Sequence, residues 1–389
     1  MSEWKEYKFS DFVSINPTVK MPTNEPISFV EMKDLVDGKK YCYPSSTRLK
    51  GGGAKFENQD TLFARITPCL ENGKICQVMG LKNGVGFGST EFLVFRGKSK
   101  VSDSDFVFYL SRWSEVRSHA EINLDGTSGR QRVPKDCFNE LILNLPESVL
   151  EQTAIASVLS SLDDKIDLLH RQNATLEKMA ETLFRQWFVE EEKEGWKEGI
   201  LDDILTVKGG STPITGEPAY WNGTIHWTSP RDITNLNGIY LFDTERKITK
   251  LGLSKISSGL LPKGTLLMSS RAPVGVLAFS EVPIAINQGY IAILDNKGYS
   301  KEFIYLWLKS NIDTVHSFSN GSTFMEISKS TFKTLQLLIP PKQTLNDFQL
   351  LIKPFFEKIK SGQSQICTLK ALRDTLLPRL MNGEVTVEI

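Results

Sequence analysis

Two long stretches of the chain repeat apolar residues at spacings that alternate between four and three. In the first, Ile155, Leu159, Leu162, Ile166, Leu169, Leu176, Ala180, Leu183 and Trp187 take the repeating positions, with Asn173 as the one polar member. In the second, Phe348, Ile352, Phe355, Ile359, Ile366, Leu369, Leu376 and Leu380 keep the same register. This is a heptad seam, narrower than the apolar stripe of a surface helix. It predicts two helices of about 38 residues, each about 57 Å long at 1.5 Å per residue. Asn173 is expected to set register within the seam. Gly362 and Arg373 are expected to weaken the second helix, and Pro354 to kink it or mark its first turn. Asp163 and Asp164 are expected on the solvated edge of the first.

Before each helix the pattern changes to strands and turns. Strand signals fall at Gly86–Arg96, Glu140–Leu145, Thr265–Ser269, Pro283–Leu294 and Thr334–Ile339, and shorter helical signals at Ser104–Glu121 and Lys301–His316. Turn punctuation is dense, as at Gly51-Gly52-Gly53, Asn72-Gly73, Asn222-Gly223 and Asn320-Gly321. Gly84-x-Gly86-x-Gly88 resembles half a dinucleotide fingerprint. Ser89 stands where the third glycine would be, so it reads as a turn between strands.

The two halves resemble each other. Trp4-Lys5-Glu6 falls on Trp196-Lys197-Glu198, and the stretch from Lys165 to Leu183 falls on Lys358 to Leu376 without a gap. Identities there include Ile166/Ile359, Gln172/Gln365, Leu176/Leu369 and Leu183/Leu376. The expected architecture is α+β, an internal pseudo-twofold repeat of strand-rich module and long helix, with the two helices pairing antiparallel as a coiled coil. The boundaries read 1–146 for the first module, 147–192 for the first helix, 193–341 for the second module, and 342–389 for the second helix and tail. A rival arrangement packs each helix onto its own module as an ordinary core helix.

Charge supports the pairing of the helices. Residues 147–194 carry eleven acids and five bases, whereas 342–384 carry seven bases and four acids. The whole chain of 389 residues balances 46 bases against 46 acids, so only a local basic surface could engage nucleic acid. The 40 % hydrophobic content is that of a globular chain and excludes a mainly disordered one. Five scattered cysteines form no C-x-x-C pair, which argues against a disulfide framework or zinc site and for a reducing, cytoplasmic setting. No signal peptide and no membrane span are expected.

The motifs of catalysis are missing. The four histidines stand alone, with no H-x-x-x-H or H-E-x-x-H spacing, and neither a nucleophile elbow nor a phosphate loop occurs. No catalytic residue and no metal ligand is therefore expected, which favours a binding protein. The informative residues are polar, glycine-bearing loops with isolated arginines. In the first module they supply Arg65, Thr67, Asn72, Lys74, Ser89, Thr90, Arg130, Gln131 and Arg132. In the second they supply Lys208, Thr212, Ser229, Arg231, Ser270, Arg271, Asn287, Gln288 and Thr323. Arginine reaches guanine edges, Asn and Gln reach adenine, and Ser, Thr and backbone amides hold phosphates. Arg65 and Arg271 stand out because both precede a proline turn in corresponding places. The expected seam residues are Leu159, Leu162, Ile166, Leu169, Asn173, Leu176, Leu183, Ile352, Phe355, Ile359, Ile366, Leu369 and Leu376.

Taken in order along almost the whole chain, ARITPCLENGK, STEF, GGSTP…YW, HWTSPRD, SSRAPVG, INQGYIAI and TLLPRLMNGEV resemble the DNA-specificity subunit of type I restriction–modification systems. The resemblance implies two target recognition domains, each reading one half of a bipartite asymmetric site in double-stranded DNA, with the helices as a spacer. It implies two methyltransferase subunits and restriction subunits as partners. S-adenosylmethionine, ATP and Mg would belong to those partners, and no cofactor to this chain. The alternatives at this point are a coiled-coil adaptor for proteins and the specificity subunit of a methylation-only system.

Overall fold

Strands buried on both faces cannot alternate apolar with polar; they read as unbroken apolar runs. Thr61–Ala64, Ile75–Val78 and Leu266–Ser269 come close to this: each lies inside a sheet and is buried at every residue, the polar Thr61, Gln77 and Ser269 along with the apolar ones. The fold is known from a computed structural model that describes residues 3–49, 51–127, 129–190, 195–271, 273–295, 297–319 and 325–388. The chain folds into two compact units, Met1–Leu168 with Ile366–Ile389, and Leu169–Gln365. The division cuts both long helices, so each helix gives one half to each unit.

The first unit holds β1 (Trp4–Lys8), β2 (Val13–Ile15), β3 (Ile27–Val30), β4 (Tyr41–Cys42), β5 (Ser46–Arg48) and β6 (Lys55–Glu57). It continues with β7 (Thr61–Ala64), β8 (Ile75–Val78), β9 (Val85–Gly88), β10 (Phe92–Gly97) and β11 (Ile142–Pro146). A five-stranded sheet has the order β2-β10-β7-β8-β4, and a four-stranded sheet the order β5-β3-β9-β6. The antiparallel pair β1–β11 joins the two ends of the module, with Trp4 opposite Pro146. An aromatic core of Phe9, Phe12, Phe63, Phe95, Phe106 and Phe138 fills the space behind the larger sheet, with Phe63 and Phe138 edge to face at 5.6 Å. Ile155, Ala156 and Leu159 of the first long helix and Leu377, Leu380 and Met381 of the second complete that core.

The second unit repeats the plan. It holds β12 (Lys197–Ile200), β13 (Thr206–Lys208), β14 (Trp221–Thr228), β15 (Tyr240–Leu241) and β16 (Arg246–Ile248). β17 (Leu266–Ser269), β18 (Leu277–Ser280), β19 (Ile284–Ile286), β20 (Tyr290–Asp295) and β21 (Gln336–Ile339) follow. Its five-stranded sheet, β13-β20-β17-β18-β15, matches the first strand for strand, including the parallel outer pair β15–β18 against β4–β8. Its three-stranded sheet, β16-β14-β19, matches β5-β3-β9, and a lone bridge between Leu261 and Ile284 stands where β6 pairs with β9. Duplication is therefore carried by hydrogen-bond register even where the sequences of the two middles diverge.

The first long helix spans Val149–Arg185 and ends in a π-helical turn, Gln186–Glu190; the second spans Lys342–Met381. Within the second unit they run in opposite directions. Asn173 lies against Gly362 and, further along, Phe184 meets Phe348 at 6.0 Å. Of the seam residues, Leu159, Ile166, Leu169, Ile352, Ile359 and Ile366 are buried, whereas Leu162, Asn173, Leu176, Leu183, Phe355, Leu369 and Leu376 are half-buried. Burial also takes in Phe184, Phe188, Phe356, Gln363, Leu377 and Met381, a face wider than a strict seam. The reason is that each half-helix also packs on a module core. The two arrangements weighed from sequence are thus combined.

Five expectations are revised. Asp163 is not solvated: its side chain is 2 % exposed and pairs with Arg373, itself 4 % exposed, at 2.6 Å; Asp164 is exposed. Arg373 therefore fastens the second helix to the first, where the sequence reading had it weakening the seam. Gly362 makes room: a Cβ there would come within 2.5 Å of the Asn173 carboxamide oxygen. Of the two alternatives for Pro354, the first turn is excluded, because the helix begins at Lys342 and continues through the proline, which gives up one intrahelical hydrogen bond. Finally, Gly86 and Gly88 belong to strand β9 and not to a turn. A Cβ on Gly88 would meet the Val30 carbonyl at 2.6 Å, so the glycine allows close strand packing.

Candidate nucleic-acid interface

In the first unit, chain reversals place one group of the expected residues together. The Arg65 N–H donates to the Glu91 carbonyl (2.9 Å), and the Arg65 carbonyl accepts from Val133 N–H (2.8 Å). Thr67 and Gln131 bond reciprocally: Thr67 N–H donates to the Gln131 carbonyl at 3.0 Å, and Gln131 N–H to the Thr67 hydroxyl at 3.0 Å. Arg132 bridges Ile66 and forms a charge-assisted bond to Glu91, its Nε lying 2.9 and 3.0 Å from the two carboxylate oxygens. The Ser89 hydroxyl accepts from Glu91 N–H at 3.1 Å. Arg65, Thr67, Ser89, Gln131 and Arg132 are thus tied through Glu91 and the backbone, with Thr90 and Arg130 exposed beside them. Thr67 itself is buried. Lys74 is directed elsewhere, its ammonium donating to the Met32 carbonyl at 2.8 Å, and Asn72 is exposed in the turn that follows Pro68.

The second unit builds an equivalent group. Ser270 N–H donates to the Gly289 carbonyl (2.8 Å), and Ile327 N–H to the Ser270 carbonyl (3.0 Å). Arg271 bridges Glu326 in the backbone and in charge, Nη2 to Oε1 at 3.1 Å. The Asn287 carboxamide turns its own loop by accepting from Gly289 N–H (2.8 Å), and Gln288 accepts from the Thr212 hydroxyl (2.7 Å). Ser229 caps the short helix Pro230–Thr234 together with Asp232, which leaves Arg231 exposed. Ser270 is buried and Lys208 exposed at the end of β13. Thr323 lies outside the described residues. Gly210 lets the Gly209–Pro213 loop pass close to β19: a Cβ there would meet the Ile286 carbonyl at 1.8 Å.

Register corrects the match between the two modules. Ala64 faces Phe92 and Ser269 faces Tyr290 in equivalent strand pairs. Arg65 therefore corresponds to Ser270, and Arg271 to Ile66, one residue out of step with the expected match. Adjacent strand residues point to opposite faces, so the two arginines do not occupy one equivalent position. They share a different property. The Nε of each is buried without a hydrogen-bond partner.

Sequence reasoning passed over several residues. Glu91 and Glu326 hold Arg132 and Arg271, and could have been found only by pairing residues distant along the chain. Arg48 lies 3.5 Å from the centre of the Phe29 ring and bonds Glu31 at 3.0 Å. Arg246 lies 3.5 Å from the centre of the Trp221 ring and 5.6 Å from that of Trp227. Phe29 and Trp227 occupy the same place in β3 and β14. Among the described residues no group of acids, histidines and cysteines could hold a metal.

A family model described as Type I restriction modification DNA specificity domain matches the chain twice, over residues 1–178 and 193–368. The chain belongs to the type I restriction–modification DNA-specificity family. Each match takes in one module and most of the long helix that follows it, which is the repeat seen in the sheets. The chain is 25 % identical to the HindI specificity subunit of Haemophilus influenzae, over 99 % of this chain and all of that protein. It is 33 % identical to the MjaIX specificity subunit of Methanocaldococcus jannaschii over 48 % of this chain and 43 % of that one. The crystal structure of a type I S subunit from M. genitalium shares the fold at a TM-score of 0.57 and 15 % identity, covering 100 % of this chain and 97 % of that one. Specificity subunits contribute DNA-sequence specificity to type I systems and are non-catalytic. No helix among the described residues is long and apolar enough to cross a membrane.

Proposed function

We propose that each module reads one half of a split, asymmetric DNA site. Residues 1–146 and 193–341 are the two target recognition domains, and the long helices, 147–192 and 342–389 with the tail, form the spacer that sets the unread gap. Half-site spacing follows protein geometry in DNA readers generally. The observation that carries this reading is the duplicated bridge at the end of an equivalent strand, Ile66 to Arg132 in one module and Arg271 to Glu326 in the other, each with an arginine held by a carboxylate though from opposite sides of the bridge. Thr67, Lys74, Ser229 and Ser270 hold the loops in shape. Arg65, Asn72, Ser89, Thr90, Arg130, Gln131 and Arg132 face DNA in the first module. Lys208, Thr212, Arg231, Arg271, Asn287 and Gln288 do so in the second, and Thr323 is assigned to DNA with them on its sequence alone.

The chain guides two adenine-methylating subunits and the restriction subunits of a cytoplasmic complex. S-adenosylmethionine serves the former; ATP and Mg serve the latter. Exchanging residues 195–341 for the matching module of a relative tests the division of labour. The methylated motif should change in one half-site and keep the other half and the gap. A change in both halves, or in neither, would overturn it.

A further inference from the structure

A chain of zero net charge needs a local basic surface to hold DNA. Glu245 and Glu281 are successive acids, and the residues between them carry Arg246, Lys247, Lys250, Lys255, Lys263 and Arg271. The first module has a shorter counterpart between Asp37 and Glu57, with Lys39, Lys40, Arg48, Lys50 and Lys55. Both stretches run through the outer strand of the smaller sheet, β16 in one module and β5 in the other.

The second stretch is partly neutralised. Lys247 pairs with Asp243, Lys263 with Glu281 and Arg271 with Glu326. Arg246, Lys250 and Lys255 are exposed, and no carboxylate pairs with them among the described residues. Arg246 is held by stacking on Trp221, which leaves the edge of its guanidinium open. The same two indoles pin the polar loop. Trp221 donates to the Ile214 carbonyl at 3.1 Å and Trp227 to the Ser211 carbonyl at 3.4 Å, while the Ser211 hydroxyl donates to the Lys255 carbonyl at 3.2 Å. Arg246, Lys255 and the loop bearing Thr212 thus form one surface. In the first module Arg48 lies over Phe29, which takes the place of Trp227 and not of Trp221, and it does so from a strand position two residues further along than that of Arg246. Both modules thus set an arginine of the outer strand over an aromatic ring, but on different rings and in different registers.

We infer that Arg246, Lys250 and Lys255 form a backbone clamp that binds DNA phosphates without regard to sequence, with Arg246 positioned by the tryptophan pair. The inference rests on the DNA-reading function proposed above and adds a phosphate-binding role on a separate strand. Phosphates draw cations in every sequence, so the clamp would strengthen all complexes equally and leave base choice to the loops.

The test uses the full chain assembled with its modification subunits, on a duplex carrying the methylated site and on a scrambled duplex. Binding is measured against salt for the parent and for Arg246→Gln/Lys250→Gln/Lys255→Gln. The slope of log affinity against log salt should become shallower by about 0.9 for each phosphate no longer neutralised, about 2–3 in total. Affinity for both duplexes should fall by the same factor. Arg246→Lys, alone, should keep the slope but bind more weakly, because lysine keeps the charge without the planar stack. An unchanged slope in the triple variant, or a loss confined to the specific duplex, would overturn the clamp while the DNA-reading function stands. A parent complex whose binding is insensitive to salt and to sequence would instead overturn the function itself.

Discussion

Replacing Arg373 with methionine is expected to be the most damaging single change to the helices of this chain. Its Nη1 lies 2.6 Å from Asp163 Oδ1 and 3.0 Å from the Gly38 carbonyl, while Nε and Nη2 hold Asp374 at 2.9 and 2.8 Å. The other Asp163 oxygen accepts from the Tyr109 hydroxyl at 2.7 Å. Burial acts to lower the pKa of this guanidinium, but the carboxylates of Asp163 and Asp374 together outweigh it and hold the value above the usual one. Arg373→Met would leave Asp163 buried with one neutral donor. Removing one partner of a buried pair costs about 3–5 kcal/mol. For a unit of this size that is a fall in Tm of about 6–20 °C. Asp163→Leu with Arg373→Met removes both charges, and such exchanges are often close to neutral. A urea-melting double-mutant cycle on the full chain should therefore show the double variant more stable than Arg373→Met alone. If Arg373→Met melts within about 0.5 kcal/mol of the parent, the pair does not fasten the helices.

Other changes follow from the same geometry. Gly362→Ala should lower stability by about 1–3 kcal/mol by pressing on the Asn173 carboxamide, and Asn173→Ala in the same chain should recover most of it, as read by thermal melting. Gln363→Leu should cost about 1–3 kcal/mol, since its carboxamide accepts from the Ile239 and Tyr240 amides and donates to the Tyr240 carbonyl; amide exchange at Tyr240 would reveal the opening. Arg132→Ala should relax one base position in one half-site at a cost of about 1–3 kcal/mol in binding, and Glu91→Gln should loosen the same position by freeing the arginine. Methylation of a randomised site library would reveal both.

Much of the fold could be read from the chain because its periodicities are long and repeated. The heptad spacing gave both helices, and the copied Lys165–Leu183 and Lys358–Leu376 segments gave the duplication. The wider buried face of each helix was not legible, because a seam residue and a module-facing residue are equally apolar. Asp163 and Arg373 were misread for a related reason: a buried charge looks like a solvated one until its partner, 210 residues away, is known. The loop groups were located as segments but not as partners. Arg271 was set against Arg65 by the shared proline, whereas the hydrogen-bond register places Ser270 there. Charge patterning did hold a signal that went unread, the acid-free stretch between Glu245 and Glu281.

The central claim is that this chain chooses the DNA sequence for a partner methyltransferase. Genome-wide mapping of adenine methylation, in cells carrying the modification subunit with and without this chain, tests it most directly. A split motif with a fixed gap, present only with the chain, is the predicted result. An identical methylation map in the two strains, with the chain expressed and the modification subunit competent, would contradict it.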